Sequence, residues 1–114
     1  MNEKNPLIFI DHILESISDI NLFIKDINKE RFCKNKEKIN AVVRSLEIIG
    51  EAAKNLQTSF RDNYQNVPWK KIIGTRDIII HNYFGVDLDL IWNILKNDLP
   101  ILEKQILNIK NKIK

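Results

Sequence analysis

Apolar side chains in this sequence return every three or four residues, in one stretch after another. In the first stretch, from about Pro6 to Asn28, the rhythm is carried by Ile10, Ile13, Leu14, Ile17, Ile20, Ile24 and Ile27. Asp11, Glu15, Asp19 and Asp26 fall largely between them. This is the period of an amphipathic α-helix, which turns ~100° per residue and gathers such positions on one face. Only three glycines and three prolines interrupt the 114 residues, so long breaker-rich loops have little room. The pattern predicts an all-α fold, and the length suits one domain covering residues 1–114. A helical bundle this small often buries one more face against a second copy.

The rest of the chain repeats the pattern between identifiable joints. Pro6 suits the first turn of the first helix, on which His12 reads as a surface or half-buried residue. Lys29 to Lys38 reads as a charged joint anchored by Phe32, with Lys34, Lys36 and Lys38 as a solvated face; contact with RNA phosphates is the less favoured reading. A second helix is predicted from about Lys36 to Leu56, with Ile39, Val42, Val43, Leu46, Ile49, Ala53 and Leu56 as its stripe. Gly50, Ala52 and Ala53 make a smooth patch there. A helix-interior glycine costs about 1 kcal/mol relative to alanine, so Gly50 points to a close helix approach. Glu51 beside it either faces the central site or faces solvent. Arg44 and Glu47 can pair along the helix.

Thr58 to Pro68 is the longest irregular stretch, where Ser59 and Asp62 can cap a short turn and Tyr64 can pin it. Trp69 reads as a core plug rather than a base-stacking platform. Gly74-Thr75 reads as a turn, with Thr75 capping a third helix from about Arg76 to Tyr83. Gly85 ends that helix, and Asp87 caps the next, whose apolar face is Leu88, Ile91, Trp92 and Leu95. Asp98 and Pro100 read as a break or restart, with Asp98 as cap and Pro100 in the first turn. The last helix carries Leu99, Leu102, Ile106, Ile109 and Ile113, and its lysines favour the C-terminal end of a helix dipole.

Charge and composition narrow the function classes. The net charge is +3 and the pI about 9.0, which permits nucleic-acid contact without requiring it. A single cysteine, Cys33, offers no internal disulfide and suits a reducing cytoplasm. No apolar run approaches the ~20 residues of a membrane span, and Met1 to Lys4 lack a signal pattern. His12 and His81 stand far apart, with no cysteine partner for either, so neither a metal cluster nor a cofactor is expected.

The chemistry concentrates between Gly74 and Phe84. Arg76, Asp77, His81 and Tyr83 lie within eight residues, around three isoleucines that call for burial. Buried charges cost several kcal/mol unless paired, so these groups form either an internal network or a site. At ~100° per residue, Asp77 and His81 share a helix face, whereas His81 lies roughly 140° from Arg76. A second copy of the helix across a two-fold axis can bring Arg76 and His81 together. Histidine moves protons near neutral pH, and arginine stabilises charge growing on a phosphorane. Asp77 can fix the His81 tautomer. Such a set can cleave RNA without metal, and a dimer supplies two copies of His81.

The stretch Arg76-Asp77-Ile78-Ile79-Ile80-His81 resembles the signature of the HEPN superfamily, an arginine, a polar residue, three variable residues and a histidine. Arg76, His81 and Tyr83 also fit the narrower R-x-x-x-x-H-x-Y pattern of HepT-like toxins. Further stretches match in collinear order: Ala41 to Ala53, Val67-Pro68-Trp69, and His81 to Asp87. The resemblance implies an up-and-down bundle of four to five helices that forms a homodimer with the motif at a shared cleft. It implies the toxin of a type VII-like toxin–antitoxin system, an endoribonuclease with Arg76 and His81 catalytic and Asp77 as the motif's polar residue. The implied partner is an MntA-type nucleotidyltransferase antitoxin that transfers AMP to Tyr83. Added bulk and negative charge at a cleft for RNA phosphates would then block substrate. Glu51 is a possible second neighbour of Arg76. The alternative is a non-catalytic helical binding partner of the nucleotidyltransferase.

Overall fold

The computed structural model describes residues 5–81 and 87–114, and the side chains of all of these except 78–81. The described residues are helical, with no strand. The helices are α1 (Pro6–Phe23), α2 (Lys29–Cys33), α3 (Lys36–Asn55), α4 (Thr58–Asp62), α5 (Trp69–His81), α6 (Leu88–Asn93) and α7 (Leu99–Ile113). A π-helical turn, Ile94–Asp98, joins α6 to α7 without a gap. Four long units therefore carry the fold: α1, α3, α5 and the run from Leu88 to Ile113. Helix α1 packs on α3 and α7, and α3 packs on α5.

The isoleucine stripe of α1 is the heart of the core. Ile10, Ile13, Ile17 and Ile20 are at most 1% exposed, and Val42 of α3 and Ile106 of α7 are fully buried against the same cluster. Helix starts follow side-chain chemistry. Asn5, Asn28, Asn35 and Asp87 each accept a hydrogen bond from a backbone N–H of the first turn they precede. Phe32 is fully buried, as an anchor should be, with its ring 5.3 Å from that of Trp92. Lys29 and Asp89 pair at 2.6 Å, tying α2 to α6, and the carboxylate raises the lysine above its ordinary pKa.

Five local readings of the sequence need correction, four of them before α6. Helix α1 stops at Phe23, not near Asn28. Asp26 takes a left-handed φ of 60°, and Lys38 Nζ donates to the Phe23 carbonyl at 2.8 Å. Lys38 is thus a half-buried helix cap rather than part of a solvated face. Helix α4 begins without any side-chain cap; Arg61 Nε instead donates to the Leu56 carbonyl at 3.2 Å. Gly74-Thr75 is no turn: α5 runs unbroken from Trp69, and Thr75 Oγ1 donates to the Lys71 carbonyl at 2.8 Å inside it.

Pro100 stands in the first turn of α7, as the sequence suggested, but the helix is not interrupted there, because the π turn runs into α7 without a gap. A proline lacks an N–H and its ring crowds the carbonyl four residues back. The π turn lifts that conflict by widening the ladder: the Leu99 N–H reaches five residues back to the Ile94 carbonyl. Asp98 makes no cap hydrogen bond and pairs with Lys71 of α5 at 3.4 Å.

Candidate active site

The motif arginine is placed by two helices. Trp69 opens α5 and locks it to the preceding turn: its ring is 7% exposed and its Nε1 donates to the Tyr64 carbonyl at 3.0 Å. Trp69 is therefore a core plug, as its apolar neighbours suggested. From this anchor α5 packs against α3, with Arg76 and Ile72 standing directly beside Gly50. A Cβ built on Gly50 would stand 2.8 Å from Arg76 Cβ and 3.3 Å from the Ile72 carbonyl oxygen. Real Cβ atoms do not come that close. The missing side chain is what lets α5 settle with Arg76 directly over α3.

That seat gives Arg76 an unusual environment. Its side chain is 29% exposed, and Nε is enclosed with no hydrogen-bond partner among the described residues. Nη1 stands 3.7 Å from Asp77 Oδ1, and the Asp77 side chain is 62% exposed. The contact is a loose, solvated pair between neighbours. A guanidinium nitrogen left enclosed and unpaired costs about 1–3 kcal/mol, and such groups in folded proteins call for a functional explanation. The arrangement fixes the stem of Arg76 against α3 while the side chain as a whole stays 29% exposed. It can receive an anion such as a phosphate oxygen.

The other sequence candidates divide in two. His81 closes α5, so Arg76 and His81 stand on one continuous helix. Five residues apart, they are offset by roughly 140° of rotation and about 7.5 Å of rise. The His81 side chain, its contact with Asp77, and Tyr83 altogether lie outside the described residues, as does the end of the helix expected at Gly85. Glu51 is exposed on α3 and joins no ion pair among the described residues. His12 is exposed, edge-on to Phe9 with ring centroids 6.4 Å apart. Among the described residues no group of three or more His, Cys, Asp or Glu side chains could hold a metal, and no helix is long and apolar enough to cross a membrane.

One feature near this site was not foreseen. A cavity of ≈ 270 Å³ opens between α3, α5, the π turn and α7, with Lys71 and Asp98 among the groups that line it. The apolar stripes gave no hint of it, and Asp98 read only as a cap. The sequence signal for Gly50 was sound, but its partner could not be named until α5 was seen to cross there.

Comparison with known proteins gives the family of the chain. The family model described as Ribonuclease HepT-like matches residues 13–109. A protein of Methanocaldococcus jannaschii, provisionally named an RNase, is 44% identical over 106 residues, covering 93% of this chain and 97% of its own length. A protein of Caldanaerobacter subterraneus subsp. tengcongensis, also provisionally named an RNase, is 45% identical over 111 residues, 97% of this chain and 99% of its own. A Thermococcus cleftensis protein provisionally named ribonuclease HepT is 40% identical over 95 residues, 83% of this chain and 86% of its own. No solved structure matches the chain.

Proposed function

Because this chain belongs to the HepT-like ribonuclease family, we propose that it is an endoribonuclease that cleaves RNA without a metal ion and acts as the toxin of a toxin–antitoxin pair. The observation that carries this reading is the seat of Arg76 against Gly50, which fixes the stem of the guanidinium on α3 while its side chain stays 29% exposed. A group so held stabilises charge at a phosphorus without reorganising when the charge appears.

In the proposed reaction a base takes the proton of a ribose 2′-OH. The 2′-oxygen attacks the adjacent phosphorus, and Arg76 offsets the charge on the equatorial oxygens. The bond to the 5′-oxygen breaks, and an acid returns a proton to that leaving group. The products are a 2′,3′-cyclic phosphate and a 5′-hydroxyl. His81 is the proton carrier and Asp77 the group that orients it. The two transfers call for two carriers, which a homodimer supplies when its two α5 helices face one cleft. Tyr83, two residues from His81, is the site at which a nucleotidyltransferase antitoxin would add AMP and close the cleft to RNA by bulk and repulsion.

The deciding measurement is cleavage of total cellular RNA by purified dimer in the presence of EDTA, native against His81→Ala. Cleavage that survives the chelator, leaves cyclic-phosphate ends and disappears in the variant is the expected result. A well-folded, unmodified dimer that leaves RNA intact would overturn the nuclease reading. The chain would then be a binding partner of the nucleotidyltransferase.

A further inference from the structure

The cavity between α3, α5 and α7 continues the ground on which Arg76 is seated. Leu46 and Ile72 line it, and each lies four residues, or about one helical turn, before Gly50 and Arg76 respectively. Its inner wall is apolar: Leu46, Ile49, Leu99 and Leu102 are all buried. Its mouth is polar and carries both signs, with the Lys71 ammonium 3.4 Å from the Asp98 carboxylate. Ligand pockets for drug-sized molecules run to about 300–1,000 Å³. At ≈ 270 Å³ this one suits something smaller, of the size of a single nucleobase with part of its sugar.

We propose that this cavity receives one unstacked guanine of the RNA substrate, with the Asp98 carboxylate and the Lys71 ammonium reading the edge of the base. The assignment rests on the ribonuclease reading above. Two complementary charges on one side of an apolar slot match guanine's edge. A carboxylate accepts from the ring N1–H and the exocyclic amine, and an ammonium donates to O6. Adenine offers no ring N–H on that edge, and the pyrimidines fill less of the slot. Asp98 makes no cap hydrogen bond although it immediately precedes α7, so its one partner among the described residues is Lys71, and that pair opens when the two groups turn to the base. The π turn is what carries its carboxylate to Lys71.

The test is a calorimetric titration of the full chain with each of the four nucleoside 5′-monophosphates. The phosphate is common to all four, so a difference in affinity reports the base. GMP is expected to bind at least about tenfold tighter than AMP, with amide shifts at Thr75 and Gln105 in NMR spectra. Asp98→Ala should bring the ratio near one without moving the thermal midpoint, and Lys71→Ala should reduce it. Equal affinity for all four nucleotides, shifts confined to other surfaces, or a preference that survives Asp98→Ala would overturn the assignment. The two proposals fail separately. GMP selectivity in a chain that cleaves no RNA keeps the pocket and removes the nuclease, whereas cleavage with no base preference does the reverse.

Discussion

At the scale of single residues, Gly50 carries more than its size suggests. Its hydrogen is the floor under Arg76, and any Cβ there must push α5 away or tilt the arginine. The clash is with a Cβ and a backbone oxygen, neither of which can swing aside. Gly50→Ala should therefore cost about 1–3 kcal/mol in chemical denaturation, despite alanine's better helix propensity. It should also lower RNA cleavage beyond what the lost stability explains. A variant as stable as the native chain would show that α3 and α5 have slack between them. The need for close approach at Gly50 was legible in the sequence, because a mid-helix glycine is otherwise a loss. The identity of its partner was not, because a one-dimensional pattern does not say where two helices cross.

At the scale of elements, α5 teaches the opposite lesson about glycine. Gly74 sits inside the helix with open space around the position its Cβ would take. Nothing there calls for a glycine. Gly74→Ala is expected to stabilise the fold by about 0.5–1 kcal/mol, read as a rise in thermal midpoint with cleavage unchanged. The sequence invited a boundary at Gly74-Thr75 because glycine and threonine are the usual marks of one. Packing against α3 and the Trp69 anchor overrode those local preferences, as tertiary contacts routinely do. The long stripes of α1 and α3 were legible for the complementary reason. Each repeats over enough turns that no single residue decides it. Among the readings that failed, the start of α5 and the cap at Asp98 hung on one or two residues.

At the scale of the whole molecule, stability rests on one cluster shared by α1, α3 and α7. Ile13 is fully buried within it, on the helix that touches both of the others. Ile13→Ala should cost about 2–5 kcal/mol in urea unfolding, a large part of what a domain of this size possesses. Leu22, 67% exposed on the same helix, should tolerate alanine with little change. Equal losses at the two positions would mean that the face of α1 has been assigned wrongly. The all-helical class was readable from period alone. The cavity beside α5 was not, because it arises where helices meet imperfectly, and spacing within one helix carries no record of that.

The π turn at Ile94–Asp98 sets the phase of everything that precedes it. It spends one residue more than an α-turn on the same advance, like an extra tooth in a gear. Removing a single residue there would close the turn to α and bring the Pro100 ring against the carbonyl four residues back. It would also rotate α6 by about 100° relative to α7. Trp92 would swing off Phe32. Length in this short stretch is therefore under tighter constraint than composition. Substitutions can be absorbed within the turn, but the count of residues cannot change.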